Sequence, residues 1–344
     1  MAKITKDLID SMSDRDILKM IENNLKRYEA DSAIYSLIDE SKLAQDALAA
    51  GQGKMYKKAV QKALGNDFDN VFKDENNRLR KTVRYIQALI TSDQFEPVLP
   101  DPMVIKTNSN GKERIVYSAK FGDEQIIHHA LIRIIKPLIM KGMYKWSCAS
   151  IDHRGVYYAK KYIERFLMND IKNTKYVLSM DIHNFFDSIP HRPLKKYLKR
   201  YIKDEVVLDM LMKIVNLTDK GLPIGFFTSN WLANFFLQPL DHYIKERILD
   251  DCGCNTKRTG RHGAVYYVRY MDDMVIFGPN KKELHKLHNR IVEVLQNELH
   301  MELKDNWQVF KFDYIDKDGK RKGRPLDFIG FKFYRDKTTI RKKT

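Results

Sequence analysis

Two adjacent carboxylates stand inside an apolar, β-branched stretch of the chain. Asp272 and Asp273 follow Tyr270 and Met271, and the run from 265 to 277 around them reads as two short strands joined by a turn. Charge that is buried in such a setting costs free energy unless it is paired or bound to a metal. Because a need for solubility does not explain these carboxylates, the pattern predicts a site for divalent cations.

A third carboxylate ends a second apolar strand upstream. Asp181 closes the run Tyr176-Val-Leu-Ser-Met-Asp181. If this strand and the later hairpin share a sheet, Asp181 would meet Asp272 and Asp273 there. Three converging carboxylates suit a pair of Mg²⁺ ions that hold the attacking and leaving oxygens of a phosphoryl transfer.

The composition favours a polyanionic partner. The 344 residues of the chain allow a substantial core and two or three subdomains. Its 61 Lys and Arg against 45 Asp and Glu give a formal net charge of +16. Net charge gives information about binding partners and not about the fold. Together with the acidic motifs, the positive charge predicts nucleic acid as the partner.

The cysteines and the hydropathy pattern predict a cytoplasmic location. Cys148, Cys252 and Cys254 are too few and too badly spaced for a disulfide framework or a four-ligand zinc site, which fits a reducing compartment. The N-terminus lacks an apolar core of signal-peptide length, and no run approaches the ~18 apolar residues of a membrane span. We therefore expect neither secretion nor a membrane partner.

Four motifs follow one another along the chain. They are Asp181 with Phe185-Phe186-Asp187, then Gly221-Leu-Pro-Ile-Gly225-Phe-Phe-Thr-Ser229-Asn230, then Tyr-Met-Asp-Asp, then Phe328-Ile-Gly330-Phe. In this order they resemble the palm motifs of bacterial reverse transcriptases, over a stretch from about residue 111 to about residue 334. A lone Tyr-Met-Asp-Asp would be weak evidence, because Asp-Asp occurs by chance in solvated turns. The resemblance implies an RNA-directed DNA polymerase that uses an RNA template, a DNA or RNA primer and dNTPs.

The resemblance also implies roles for individual residues. The catalytic carboxylates would be Asp181, Asp272 and Asp273, and with Ile182 these would bind two Mg²⁺ ions, or Mn²⁺ in their place. The nucleotide-binding residues would be Lys112, Arg114, Arg154, Phe186, Ile224, Gly225, Asn230 and Lys304. The nucleic-acid-binding residues would be Gly221, Tyr270, Met271 and Gly330.

Some of these roles have a clear physical basis. Phe186 matches the ring that stacks under the nucleotide sugar and excludes a 2′-hydroxyl by bulk; Phe185 is the alternative, and we expect strand alternation to decide between them. Arg114 would bind the triphosphate through its bidentate fork. Lys304 matches the lysine near the leaving pyrophosphate. Glycine at 221 and 225 would let the backbone approach the template-primer closely.

The motif details leave the biological programme open. Ile224 is aliphatic, as in the error-prone enzymes of diversity-generating retroelements, but Ser229-Asn230 departs from their usual Ser-Gln, which leaves defence-associated reverse transcriptases as rivals. An untemplated or protein-primed DNA polymerase of phage defence would share every one of these residues. A catalytically idle nucleic-acid scaffold is a further alternative, against which the intact carboxylates argue. An accessory protein or a structured non-coding RNA is a possible partner.

The expected fold is α+β, a right-hand polymerase with a palm. The palm would be a βααβ-type antiparallel sheet with helices on one face, joined to fingers and a helical N-terminal extension, and the thumb would be absent or very reduced. The predicted domains are a helical extension over 1–98, fingers over 99–175, a palm with finger insertions over 176–334 and a basic tail over 335–344.

Local signals predict the elements that carry the motifs. Asn108 to Gly111 is a turn signal between two short strands. The helical spacing that starts at Asp123 is expected to end at Pro137. We also expect a strand stopped by Pro190 and followed by one helix to about residue 215, a long helix over 229–249 with Ser229 as its N-cap, a helix over 281–299, and a basic hairpin loop over 317–324.

Overall fold

The computed structural model describes residues 3–52, 58–65, 77–106, 113–245 and 266–342. The chain divides into two compact units. The first comprises Met1–Lys106, Glu113–Lys141 and Leu194–Asn230, and the second comprises Thr107–Lys112, Gly142–Pro193 and Trp231–Thr344. The domain limits expected at 98, 175 and 334 stay a prediction.

The described residues form helices and short strands. The helices are α1 (Lys6–Ser11), α2 (Asp14–Leu25), α3 (Ile34–Leu37), α4 (Glu40–Gly51), α5 (Lys58–Leu64), α6 (Arg78–Thr91), α7 (Glu124–Lys141), α8 (Val156–Asn169), α9 (Phe185–Ser188), α10 (His191–Tyr201), α11 (Glu205–Val215), α12 (Phe227–Phe236), α13 (Gln238–His242) and α14 (Lys281–Val294), the last continued by a π-helical turn over Leu295–Leu299. The strands are β1 (Met103–Lys106), β2 (Glu113–Val116), β3 (Tyr176–Asp181), β4 (Tyr266–Tyr270), β5 (Asp273–Gly278), β6 (Gln308–Lys311), β7 (Tyr314–Ile315), β8 (Arg321–Lys322), β9 (Leu326–Phe328), β10 (Phe331–Phe333) and β11 (Thr338–Ile340).

The sequence predicts a helical N-terminal region, and helices α1 to α6 confirm its helical character in the described residues. Thr5, Ser13, Asp39 and Asn77 precede α1, α2, α4 and α6, and each side chain accepts a hydrogen bond from a backbone N–H of the first turn. Arg84 of α6 is buried, and its Nε donates to Asp14 Oδ1 at 2.7 Å. The same unit carries the antiparallel β1–β2 hairpin; the turn expected at 108–111 lies outside the described residues.

A four-stranded antiparallel sheet forms the centre of the second unit. Its order is β4-β5-β3-β6, so that β3 lies between β5 and β6. The register places Asp181, the last residue of β3, opposite Asp273, the first residue of β5. The two motifs that are far apart in sequence therefore meet at one end of the sheet.

Helices cover both faces of this sheet, and the expectation of helices on one face was wrong. Val177 and Val275 share one face and pack with Ile163 of α8. Tyr267 and Arg269 point to the opposite face, where both side chains donate to Asp241 of α13. The reason is visible in β5, where the residues after Asp273 are buried on both faces and require cover on each.

Two expectations about proline were wrong. Helix α7 runs through Pro137 to Lys141, because Ile135 and Ile139 on either side are buried and their packing outweighs the hydrogen bond that proline cannot make. Strand β3 ends at Asp181, well before Pro190, because Asn184 takes a left-handed conformation (φ 42°) and turns the chain into α9.

The two long helices expected after residue 190 are each divided. Between α10 and α11, Asp204 starts a new helix, since its carboxylate accepts a hydrogen bond from Val207 N at 3.0 Å. Helix α12 ends at Phe236, and Pro239, which lacks an N–H, lies in the first turn of α13. Ser229 is a buried residue inside α12 and not its N-cap.

Two further predicted elements are confirmed. Helix α14 and its π-helical turn cover the predicted 281–299. Strands β7 and β8 form the expected basic hairpin, whose connecting residues are exposed apart from Asp316.

Candidate active site

Asp181 and Asp272 approach each other at the end of the sheet. The β4–β5 hairpin reverses at Met271 and Asp272, directly beside the end of β3. Burial of Asp272, followed by the charges of Asp181 and Asp273, raises the pKa of the Asp272 carboxyl from 3.8 to about 7. The structure thus brings together the three carboxylates that were predicted from two separate segments.

Lys304 is held against the same carboxylates. Residues 302–304 run alongside the end of β3: Lys304 N donates to Asp181 O and His183 N donates to Glu302 O, both at 2.8 Å. This backbone pairing brings the Lys304 ammonium group to Asp181, where Nζ donates to Oδ2. Opposite charges so placed attract each other, and Lys304 offsets part of the negative charge at this end of the sheet.

The carboxylates have the chemistry of a hard-cation site. Asp181 Oδ1 is buried and has no hydrogen-bond partner among the described residues. Ile182, directly after Asp181, is buried and forms an isolated antiparallel bridge with Leu303. As the side chains stand, no group of three or more His, Cys, Asp or Glu in the described part of the chain is arranged to hold a metal ion. A buried carboxylate oxygen without a partner, beside the crowded negative charge of Asp272 and Asp273, fits Mg²⁺, which prefers oxygen ligands.

Phe185 and Phe186 lie on a helical turn and not on a strand. The expectation that strand alternation would separate them was therefore wrong, because the strand has already ended at Asp181. Phe185 is buried, whereas Phe186 is only half-buried and its ring lies 5.4 Å from that of Phe185. Phe186 is thus the more exposed ring of the two.

In the first unit, the loop before α12 is tied to the end of β2. Tyr117 N donates to Ile224 O at 2.7 Å. Gly225 takes φ 104°, and a methyl group on it would overlap the Tyr117 carbonyl oxygen. The group that lies closest to Gly225 is therefore the backbone of Tyr117, the residue after β2. Arg114 lies on this strand with an exposed side chain.

The other predicted nucleotide and nucleic-acid residues are placed as follows. Lys112 lies outside the described residues; Gly221 (φ 80°) begins the loop that ends at Gly225, and Asn230 is half-buried on α12. Tyr270 ends β4, Met271 occupies the hairpin turn at φ 57°, and Gly330 turns β9 into β10 at φ 83°. Arg154 donates from Nη1 to the carbonyls of Tyr144 (2.7 Å) and Ser147 (3.0 Å), so its guanidinium binds backbone.

Sequence reasoning missed Arg269, which lies directly before Tyr270. Its side chain is fully buried and donates to both carboxylate oxygens of Asp241, at 2.8 and 2.6 Å. Its Nη1 also donates to Met271 O at 3.0 Å and to Asn234 Oδ1 at 3.1 Å. The available signal was a lone arginine in an otherwise apolar strand, since arginine is almost never fully buried unless it is paired.

A match to a protein family shows to which proteins the chain is related. Residues 104–333 match the family described as reverse transcriptase (RNA-dependent DNA polymerase). The chain belongs to the reverse transcriptase family. Among bacterial relatives, Protein YkfC of Escherichia coli K12 is 25% identical over 256 residues, covering 66% of each chain. The Retron Ec73 reverse transcriptase of Escherichia coli is 27% identical over 153 residues, covering 42% of this chain and 45% of the retron enzyme.

A solved structure supports the same fold. Apo telomerase from Candida tropicalis superposes with a TM-score of 0.50 at 11% identity, covering 99% of this chain and 74% of the telomerase chain. The reverse transcriptase family match and this likeness agree with the mixed helix and sheet architecture of a polymerase palm.

Within the described ranges, no helix combines the length and the apolar character needed to cross a bilayer.

Proposed function

We propose that this reverse transcriptase family member is an RNA-directed DNA polymerase that adds dNTPs to a primer 3′-hydroxyl with the help of two Mg²⁺ ions. The observation that supports the proposal most directly is the meeting of Asp181 and Asp272 at the end of β3, beside Asp273. Carboxylates that are pressed together in this way, with the pKa of Asp272 raised to about 7, are stabilised by added cations.

Each site residue then has a task. Asp181, Asp272, Asp273 and the Ile182 carbonyl would hold the ions, which when bound activate the primer hydroxyl and neutralise the triphosphate. Lys304, which lies beside Asp181, would neutralise the leaving pyrophosphate. Phe186 would pack under the sugar and exclude a 2′-hydroxyl by bulk.

Arg114 and the net charge support the proposed substrate and partners. The exposed guanidinium of Arg114 on β2 would grip the triphosphate through two parallel hydrogen bonds. The formal charge of +16 supports binding of an RNA template and a DNA or RNA primer. Template-primer affinity should therefore fall steeply with salt, because phosphate contacts release counterions.

The biological programme we propose is a diversity-generating retroelement or a phage-defence system. Ile224 resembles the aliphatic residue of the retroelement enzymes, and a retron enzyme is among the relatives. The chain spans 66% of YkfC and 45% of the retron enzyme. The proposal is therefore limited to the polymerase activity and its template, and it carries over no other property of these relatives. Sequencing the products distinguishes the possibilities: substitutions at template adenines indicate the retroelement, and product without template complementarity indicates untemplated synthesis.

The polymerase proposal is tested by primer extension on an RNA template. Asp181→Asn and Asp272→Asn should each abolish dNTP incorporation while template-primer binding survives, because each change removes metal-binding charge and conserves shape. Asp318→Asn, an exposed carboxamide substitution in the same unit, is the matched control and should leave incorporation unchanged. Incorporation within about tenfold of wild type by either site variant would overturn the two-metal assignment, since loss of a catalytic carboxylate should cost far more.

A further inference from the structure

The side chain of Arg269 connects the acidic turn to two helices. Its planar guanidinium donates to three acceptors at once: the Asp241 carboxylate of α13, the Asn234 amide oxygen of α12 and the Met271 carbonyl. Arg269 and Asp241 are both fully buried. A buried ion pair is weak evidence of a role in stability, because desolvation offsets much of the attraction. The contact with Met271 points to a different role.

Met271 holds a conformation that its side chain does not favour. Its φ is 57°, in the left-handed region that residues other than glycine rarely adopt. Such a residue keeps this conformation only when its surroundings over-determine it. The bond from Arg269 Nη1 to Met271 O, 3.0 Å long, supplies that constraint at the residue directly before Asp272.

The arginine is itself held from every side. Tyr267 OH donates to the same Asp241 carboxylate at 2.8 Å, and Asn234 Nδ2 donates to Ala149 O at 2.9 Å. On the main chain, Arg269 N donates to Trp146 O at 3.0 Å and Cys148 N donates to Arg269 O at 2.9 Å. These contacts tie Arg269, and through its bond to Met271 O the turn, to α12 and α13.

We propose that Arg269 is a positioning residue for Asp272: its guanidinium holds the left-handed Met271 turn and thereby sets the approach of Asp272 to Asp181. The inference rests on the proposed metal-dependent polymerase function for its consequences, but the turn itself can be observed without it. Lysine at this position keeps the positive charge beside Asp241 but loses the planar fork, so it cannot serve Asp241, Asn234 and Met271 together.

The test compares Arg269→Lys with Arg84→Lys, a matched change in a buried arginine of the first unit that also pairs with an aspartate, Asp14. Hydrogen exchange of the amides between 270 and 274 should accelerate about tenfold in Arg269→Lys, because the turn loses a charge-assisted hydrogen bond. Mn²⁺ affinity, measured by electron paramagnetic resonance, should weaken about tenfold, as is typical when a residue that orients a metal ligand is changed. Neither value should move in Arg84→Lys.

The kinetic constants of Arg269→Lys and a second variant provide further tests of the positioning role. In Arg269→Lys we expect kcat to fall while the KM for dNTP stays within about threefold, since the loss affects the reacting geometry and not dNTP binding. If Arg269→Lys does not fold, Arg269→Gln combined with Asp241→Asn removes both buried charges and carries the same expectations. Unchanged exchange at 270–274 in a folded variant would overturn the positioning role. A wild-type chain that binds Mn²⁺ but incorporates no dNTP would instead overturn the proposed function alone.

Discussion

Gly225 offers a sharp test of how the first unit is held together. Alanine at this position must adopt φ 104°, overlap the Tyr117 carbonyl oxygen and place its methyl group 2.8 Å from Val116 Cγ1. The left-handed conformation costs ~1 kcal/mol. Displacing Tyr117 adds ~1 kcal/mol for its hydrogen bond to Ile224 and ~1 kcal/mol for backbone distortion. Gly225→Ala should therefore lose about 3 kcal/mol of unfolding free energy.

Gly319→Ala is the matched control. Gly319 also has positive φ (75°), but no described atom beyond its chain neighbours lies within 4 Å of the added methyl group, so the cost should be only ~1 kcal/mol. In thermal unfolding, the difference of about 2 kcal/mol corresponds to a midpoint about 4–8 °C lower for Gly225→Ala. If Arg114 binds the triphosphate as proposed, the KM for dNTP should rise as well, because the Tyr117 contact anchors β2. Equal melting of the two variants would refute the argument.

Phe186→Ala should admit ribonucleotides, whereas Phe185→Ala should mainly destabilise the fold; the reverse result in nucleotide competition would contradict the burial argument. Lys304→Gln should bind Mn²⁺ about threefold more tightly, because a competing cation leaves Asp181, and weaker binding would refute it. Burial, followed by the charge of His129, lowers the pKa of His128 from 6.5 to about 3. Between about pH 6.5 and about pH 3 only the unfolded chain binds this proton, so the unfolding free energy should fall by about 2 kcal/mol from pH 7 to pH 5, and His128→Gln should abolish that part.

The carboxylates of the candidate site could be predicted from the sequence because their chemistry depends on neighbouring residue types. Asp181, Asp272 and Asp273 lie at the ends of apolar runs, where burial of a charge costs free energy unless the charge is paired or bound to a metal. The hairpin around Asp272 follows from β-branched residues on both sides of a turn. Such features depend on a few neighbours in the chain, and the sequence contains them all.

The sequence did not predict features that depend on residues far apart in the chain, such as where a strand ends and which faces of a sheet are buried. It placed Phe185 and Phe186 on a strand, whereas the left-handed Asn184 ends the strand and burial alone separates the two rings. It predicted helices on one face of the palm sheet, whereas both faces of β5 are buried.

By itself the sequence determined the order of the motifs, the three acidic residues and the strand and helix types that carry them, because periodicity and charge act over a few residues. Only the tertiary structure decided that Arg269 reaches Asp241 and Met271, since residues 241 and 269 meet through the packing of α13 on the sheet. Long-range packing also requires glycine at 225, because any side chain there would overlap the Tyr117 carbonyl oxygen. Side-chain partners of this kind are set by the folded chain, where burial makes every unpaired polar group costly.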